Sequence, residues 1–503
     1  MSHGDGLSRK LVAAGSPLAR GTGHFLDAVA AAGLELHSFM LYQHGSVLAE
    51  GWWRPYGAER VHMMHSATKS FTATGIGLAV DEGLLRLDDR VISFFPDHLP
   101  ARIEPNLEAM TVRHLLTMTT GHATGISGGE WRAVRSSWIA EFFKEPVVHP
   151  PGGRFIYSSA TSYMLSAIIR RVTGQRLYDY MRPRFFEPLG IDNIRWDIGP
   201  DDTHTGGNGM SCTTADLLKL GILHLAGGEW NGRRILSRRW VEEATRPHLK
   251  HIVRGAFTGK RYFAEGEGEA RTPGVAHEGY GFHWWMGPHG TFSARGFYGQ
   301  YCIVFPQEGA VFASTGGLPI TESGFSDLIW THLLPALDGT AGGEDRPGLQ
   351  TRLEGLALPV PHRGVMPPQL PPESFVADTN EDGIECVCFA FSDDRVIFKL
   401  VDHRGTHTIE AGLGFWIESR TTVASGKLHH GYEPESMRVL AAASWLDART
   451  LSMTWVFVET AFRDTVVCRF DEGGLRLDHS VNANAEDTQR PTVVAHAACG
   501  GWR

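Results

Sequence analysis

Ser66 and Lys69 lie three residues apart at the start of an apolar segment, 66–84, that is predicted to form a helix. In a helix this spacing places both side chains on one face, within reach of each other. A hydroxyl beside an amine can act as a nucleophile with its general base when burial lowers the pKa of the amine. The helix N-terminus also favours negative charge developing on Ser66. The alternative is a surface pair in which Ser66 only caps the helix.

Other segments, taken with the Ser66 region, resemble one family in their order and spacing. They are HSATKSF at 65–71, GLAVDEGLLRLDDRVISFFP at 77–96, TVRHLLTMTTG at 111–121, PPGGRFIYSSATSYMLSAIIRRVTG at 150–174, FFEPLGI at 185–191, GGNGMSCTTADLLKLGILHLAGGEWNG at 206–232 and GQYCIVFP at 299–306. Together they resemble the serine β-lactamase and penicillin-binding-protein superfamily, particularly class C β-lactamases and the similar esterases. The resemblance spans about residues 35 to 335.

The resemblance implies a catalytic role for three residues. Ser66 matches the nucleophile of the family, Lys69 its partner on the helix, and Tyr157 the tyrosine of a Tyr-x-Asn motif. A phenol with a pKa near 10 is a poor base at neutral pH, but a neighbouring ammonium favours the phenolate. The base therefore stays open between Lys69 and Tyr157. Ser159 stands where the family usually has asparagine, which weakens recognition of a substrate carbonyl by an amide side chain.

The third motif of the family, Lys-Thr-Gly or His-Thr-Gly, aligns with Ala294-Arg295-Gly296. This alignment implies an oxyanion hole formed by the backbone N–H groups of Ser66 and Phe297, with Gly296 allowing close approach of the substrate. Because Ala294 lacks the cation of the family, efficient β-lactam hydrolysis is not expected. Arg295 either binds a substrate carboxylate or, by strand alternation, points into solvent.

A second serine also lies in a pattern known from hydrolases. Gly125-Ile126-Ser127-Gly128-Gly129 fits the GxSxG nucleophile elbow. That elbow requires a hydrophobic strand before the serine and a helix after it, whereas the flanking segments predict a helix end and a glycine-rich loop. We therefore favour Ser66 over Ser127 as the nucleophile.

The elements that must position these residues follow the order strands, helices, strands. A hairpin is predicted over 34–53, helices over 87–240, strands from Tyr280 onward and a last helix over 325–337. The pattern predicts an α+β fold of the β-lactamase/transpeptidase-like type, an antiparallel sheet flanked by helices with a helix-rich insertion. We assign this hydrolase domain to residues 1–341. A Pro/Gly-rich linker is predicted at 342–373, followed at 374–503 by an all-β antiparallel barrel or sandwich that resembles lipocalin-like domains.

The composition excludes several classes of protein. The 503 residues carry a formal net charge of −9, which argues against nucleic-acid binding. No segment resembles a signal peptide or a membrane span, so a cytoplasmic protein without membrane contact is expected. The cysteines lack metal-site spacing and are predicted to be reduced thiols: Cys212, Cys302, Cys386, Cys388, Cys468 and Cys499. Neither a metal nor another cofactor is predicted.

These observations predict a serine hydrolase that cleaves a small ester or amide through an acyl-enzyme on Ser66. An amidase or D-amino-acid peptidase, or an acyltransferase, would use the same nucleophile and oxyanion hole. A catalytically silent binding module is the alternative from a different class. The C-terminal domain is expected to cap the site, to mediate homo-oligomer formation or to stabilise the chain.

Overall fold

The computed structural model describes residues 4–268, 274–320, 324–344, 348–423 and 426–498 of the chain. The chain divides into two compact units, residues 1–356 and 357–503. Among the described residues, no helix combines the length and the apolar composition that crossing a bilayer requires. Cys499 of the six predicted thiols lies outside the described residues, and the other five are free cysteines.

Within the described residues, the first unit is built on an antiparallel sheet of eight strands. In spatial order the strands are Leu249–Arg254, Val275–Tyr280, Trp285–Met286, Phe292–Gly296, Gln300–Phe305, Ala310–Gly316, Leu36–Gln43 and Ser46–Trp52. The last two strands form the predicted hairpin, whose turn residues His44 and Gly45 have φ angles of 46° and 90°. Two positive φ values match the twist of a tight hairpin. The N-terminal hairpin thus joins strands from the far end of the unit, as predicted.

Along the sequence, helices lie between the N-terminal hairpin and the other strands of this sheet. The longer ones are Thr68–Asp81, Trp138–Lys144, Ser159–Thr173, Thr214–Leu225 and Arg238–Ala244, and shorter ones are Pro105–Ala109, Val112–Leu116, Gly128–Arg132 and Leu177–Met181. Ser159–Thr173 ends at Gly174, whose φ of 71° forms a left-handed cap. Thr213 and Asp216 form a capping box at the start of Thr214–Leu225.

Further helices cover the other face of the sheet. Pro17–Ala31, which the sequence did not predict, packs with a helical segment that runs from Phe325 to Leu337. Phe25 and Phe39 are among the buried residues of this second core. Within the segment 342–373, which was predicted to be a linker, Leu349–Glu354 is helical. Leu353 joins the same core, so the first compact unit extends to residue 356, beyond the predicted boundary at 341.

The second unit is an antiparallel barrel. Its strands are Ser374–Ala377, Ile384–Phe391, Arg395–Asp402, Gly405–Leu413, Ile417–Thr421, Met437–Asp447, Thr450–Val456, Arg463–Phe470, Gly474–Val481 and Val493–Ala497. The ring closes where Gly405–Leu413 pairs in parallel with Met437–Asp447. Nine of the strands form the closed ring, and Ile417–Thr421 pairs with Met437–Asp447 outside it. The predicted fold class is confirmed, and of the two predicted C-terminal architectures the barrel is the one that forms.

Candidate active site

Ser66 lies in a tight turn between a short strand and the helix that carries Lys69. The strand His62–Met63 pairs with Met210–Cys212, and a single 3-10 turn, His65–Ala67, leads into the helix Thr68–Asp81. The start of the α-helix is therefore two residues later than predicted. His65 has a φ of 45°, an uncommon backbone conformation for a residue other than glycine. The half-buried Ser66 thus follows directly on a sharply bent backbone.

Lys69 is buried and contacts three polar groups of the site. Its Nζ lies 3.1 Å from Ser66 Oγ, 3.2 Å from Ser159 Oγ and 2.7 Å from the main-chain oxygen of Gly207. The side chain is only 1% exposed. Burial lowers the pKa of this amine to about 7 because the charged form loses its hydration. At neutral pH a large fraction of the Lys69 amines is therefore uncharged.

Tyr157 lies beside Lys69 at the end of the extended segment that precedes the helix Ser159–Thr173. The Lys69 Nζ is 4.8 Å from the centroid of the Tyr157 ring. The ring also packs on Tyr262 and Trp285, at centroid distances of 5.0 and 5.2 Å. The three predicted catalytic side chains, which come from two separate stretches of sequence, therefore converge in one place. Their catalytic roles stay predictions.

Gly296 brings the strand Phe292–Gly296 against the backbone around Ser66. A Cβ atom on Gly296 would lie 2.2 Å from the Met64 oxygen and 3.2 Å from the Ala67 nitrogen. A larger residue would therefore push the strand away from the turn that carries Ser66. Phe297, the next residue, lines the same cavity as Ser66, and its part in an oxyanion hole stays a prediction.

A narrow cavity opens onto Ser66. Its walls are aromatic and basic, and they are formed by Ser66, Tyr157, Arg254, His277, Trp285, Arg295, Gly296 and Phe297. Ser159 does not line this cavity, and its hydroxyl instead accepts a hydrogen bond from Lys69. Among the predicted substrate-binding residues, Arg295 and Gly296 therefore line the cavity, whereas Ser159 contacts the Lys69 amine.

The sequence did not single out Arg254 and His277, which lie on the two strands at the edge of the sheet. His277 is paired with Ile252, and Arg254 with Val275, in neighbouring positions of the two strands. Burial, followed by the charges of Arg295 and Arg254, holds the pKa of His277 well below its usual value. This imidazole is therefore neutral at pH 7. No local spacing marks either residue, because strand pairing over about twenty positions brings them together.

Of the two alternatives for Arg295, the structure shows a half-buried side chain that lines the cavity at Ser66, and binding of a substrate carboxylate stays a prediction. It lines the cavity, its guanidinium lies 4.8 Å from the Tyr301 ring centroid, and it donates hydrogen bonds to the hydroxyls of Ser293 and Ser326. The aromatic stack and the two hydroxyls hold the side chain against the protein. Strand alternation places Ser293 on the same face as Arg295, whereas the contacts to Ser326 and Tyr301 depend on other segments of the chain.

Ser127 does not lie in a nucleophile elbow. Its hydroxyl accepts a hydrogen bond from the Glu130 backbone N–H at 3.2 Å and so caps the short helix Gly128–Arg132. The preceding strand has only two residues, Gly125–Ile126. Ser127 is also 1% exposed. This local structure agrees with the preference for Ser66.

Comparisons with known proteins give one family. The family model described as Beta-lactamase matches residues 26–315, more than half of the chain. The 6-aminohexanoate-dimer hydrolase of Paenarthrobacter ureafaciens is 25% identical over 298 residues, which cover 56% of this chain and 72% of that protein. The lovastatin esterase of Penicillium rubens is 28% identical over 171 residues, covering 30% of this chain and 43% of the esterase.

A solved structure shares the fold. It is described as a putative 6-aminohexanoate-dimer hydrolase from Bacillus anthracis, and it superimposes with a TM-score of 0.50 at 17% identity. The superposition covers 66% of this chain and 88% of that one. With the family model spanning the sheet, the helical region and the Ser66 site, the chain belongs to the beta-lactamase family of serine hydrolases.

Proposed function

We propose that the protein is a serine hydrolase that cleaves a small ester or amide through an acyl-enzyme on Ser66. The observation that carries the proposal is the buried Lys69 amine, 3.1 Å from Ser66 Oγ beside a narrow cavity. A buried amine with a pKa of about 7 is a base at neutral pH, whereas a solvated lysine is not. The hydrolase relatives of the family support the same reaction class.

The reaction proceeds in two halves. Ser66 Oγ attacks the substrate carbonyl while its proton passes to Lys69, directly or through Tyr157. The N–H groups of Ser66 and Phe297 hold the negative charge on the carbonyl oxygen. The proton then moves to the leaving alcohol or amine, which departs and leaves the acyl group on Ser66. Water repeats the sequence in the second half, which releases the acid and restores the hydroxyl.

The contacts of Ser159 favour esters over amides. Its hydroxyl is already engaged with Lys69, and it lacks the amide group that the family uses to bind a substrate carbonyl. An amide needs both stronger positioning and protonation of a poorer leaving group, so losing a positioning donor affects amides more. Amidase, D-amino-acid peptidase and acyltransferase activities are the alternatives on the same nucleophile. A panel of short-chain p-nitrophenyl esters, D-amino-acid amides and nitrocefin separates them.

Covalent labelling tests the proposal directly. The chain is incubated with a fluorophosphonate probe, and its intact mass and the modified peptide are then measured. We expect one adduct per chain, located on Ser66, because the probe reacts with activated serines. A chain that stays unmodified, or that carries the adduct on Ser127, would support the silent binding module or a different nucleophile.

The activity is expected to depend on the protonation of Lys69. Because only the neutral amine can accept the Ser66 proton, kcat/KM for p-nitrophenyl butyrate should rise with pH through a pKa of about 7 and level off above it. The measurement is kcat/KM from pH 5.5 to 9, corrected for spontaneous hydrolysis at each pH. A profile that is flat between pH 6 and 8 would contradict the assignment of Lys69 as the base.

Gly296→Ala is expected to lower kcat strongly. The added Cβ would overlap the Met64 oxygen, so the strand must shift and carry the Phe297 N–H away from the oxyanion position. Loss of one oxyanion donor typically lowers kcat by about 10²–10³-fold. Steady-state kinetics measure the effect, with Gly57→Ala as the control, since a Cβ there meets nothing within 4 Å. Equal kcat values in the two variants would remove Phe297 from the oxyanion hole.

A further inference from the structure

His283 is a buried histidine that contacts both helices of the proposed site. It lies in the turn between the strands Val275–Tyr280 and Trp285–Met286 and is 2% exposed. It does not line the cavity at Ser66, so it cannot touch a substrate there. Its polar contacts therefore need an explanation other than substrate binding.

The first contact is to the helix that carries Lys69. The hydroxyl of Ser70 donates a hydrogen bond of 2.6 Å to the main-chain oxygen of His283. Ser70 is the residue next to Lys69, and it is 1% exposed. This bond therefore ties the backbone of the 281–284 turn to the first turn of the helix Thr68–Asp81.

The second contact is to the helix that carries Ser159. The Nε2 atom of His283 lies 2.9 Å from the hydroxyl of Ser162, which is fully buried. Ser162 follows Ser159 by three positions in the helix Ser159–Thr173, so both side chains lie on the same face. His283 is therefore hydrogen-bonded to both helices. On one helix the bond is to Ser70, the neighbour of Lys69. On the other helix it is to Ser162, one turn after Ser159, which contacts the Lys69 amine.

The conformation of His283 is itself well restrained. Its φ is 59°, and its backbone N–H donates to the Leu116 oxygen at 3.2 Å. The Tyr280 hydroxyl lies 3.5 Å from Nδ1. Burial, and secondly the charge of Lys69, holds the pKa of His283 well below its usual value, so the ring is neutral and adds no charge beside the amine.

The distance between the two helices determines what the Lys69 amine can reach. The Lys69 Nζ contacts Ser66, in the turn before its own helix, at 3.1 Å. It contacts Ser159, on the other helix, at 3.2 Å. If the helices separated by 1 Å, Nζ could keep only one of these contacts, and misplacement of that size costs about 10²-fold in rate. A rigid group bonded to both helices prevents this separation.

We propose that His283 is a positioning residue, which holds the helix of Lys69, Thr68–Asp81, and the helix of Ser159 at the spacing that the Lys69 amine needs for acylation of Ser66. The inference rests on the proposed function, because it concerns the rate of that acylation. It assigns a role to a residue outside the cavity and outside the segments that carry the resemblance to the family.

The test compares two substitutions that place the same strain on the backbone. His283→Leu removes the bond to Ser162, whereas His283→Gln retains a polar group that can reach it. We expect fluorophosphonate labelling of Ser66 to slow about 100-fold in the leucine variant and less than about tenfold in the glutamine variant. With p-nitrophenyl butyrate, kcat should fall while KM changes less than about threefold.

Two further variants keep the test decisive. Ser162→Ala removes the same hydrogen bond without altering the 281–284 turn, and labelling should slow about tenfold even if His283→Leu does not fold. His122→Gln is the matched control, because His122 is also buried and its ring hydrogen-bonds within its own turn, to Thr120 at 2.8 Å. The control should lower the melting temperature and leave the labelling rate unchanged.

The outcomes separate the two proposals. Labelling of Ser66 at the normal rate in both His283→Leu and Ser162→Ala, equal losses in the leucine and glutamine variants, or a rise in KM with kcat unchanged would each overturn the role of His283. If the unsubstituted chain is not labelled at Ser66, the proposed function itself fails.

Discussion

Ser66→Ala is expected to abolish hydrolysis of p-nitrophenyl acetate and butyrate while leaving thermal unfolding nearly unchanged. Removing the nucleophile of an acyl-enzyme mechanism lowers kcat by about 10⁴-fold or more. Ser66 is only half-buried, so loss of its hydroxyl leaves no large cavity in the core. Initial rates over background hydrolysis and a melting curve of the same preparation measure both effects.

Ser127→Ala is the matched control for this substitution. It removes the hydroxyl of the other serine considered as a nucleophile, together with the cap of the helix Gly128–Arg132. Loss of an N-cap costs about 1 kcal/mol of stability, so the melting temperature should fall slightly while kcat is retained. Turnover that persists in Ser66→Ala but disappears in Ser127→Ala would reverse the assignment.

Lys69→Met is expected to lower kcat/KM by about 10²–10⁴-fold, the usual contribution of a general base. Methionine keeps an unbranched chain of similar length but cannot accept the Ser66 proton. The contacts of Nζ to Ser159 and Gly207 are lost as well, so some loss of stability accompanies the change. Steady-state kinetics at pH 8, where the native amine is mostly neutral, give the largest contrast.

A second buried lysine provides the control for Lys69→Met. Lys219 is 0% exposed, donates to the Gly190 oxygen at 2.9 Å and lies 3.6 Å from Asp216. Lys219→Met also removes a buried amine and leaves Asp216 without this partner, so it should destabilise the fold. The folded fraction should nevertheless keep its kcat. Retention of more than a tenth of the activity in Lys69→Met would exclude the amine as the base.

The local patterns of the sequence predicted the elements well where the signal was short-range. The hairpin turn at His44-Gly45 requires two positive φ angles, and Gly174 ends its helix for the same conformational reason. The helix predicted over TVRHLLTMTTG is shorter, Val112–Leu116, because Met118 has a φ of 59° that ends it before Gly121. Apolar composition alone did not reveal that conformation.

The boundary between the two units also depends on tertiary contacts that local composition does not reveal. Proline and glycine in 342–373 indicated a linker, since they disfavour helices and strands. The short segment Leu349–Glu354 is nevertheless helical, because Leu353 gains burial against the core of the first unit, and Arg352 pairs with Asp27. The tertiary contacts of this segment outweighed its weak local preference for an irregular conformation. Composition alone could not predict those contacts.

By itself, the sequence determined which residues could carry the chemistry. Ser66 and Lys69 are three positions apart, and the 3-10 turn His65–Ala67 followed by the helix Thr68–Asp81 converts that spacing into contact. Only the tertiary structure decided what surrounds them. Pairing of distant strands brings in Arg254 and His277, and packing of separate helices gives Lys69 its partners Ser159 and Gly207. The burial that lowers the pKa of Lys69 arises from the same packing, because it depends on every group that excludes water from the amine and on no single stretch of sequence.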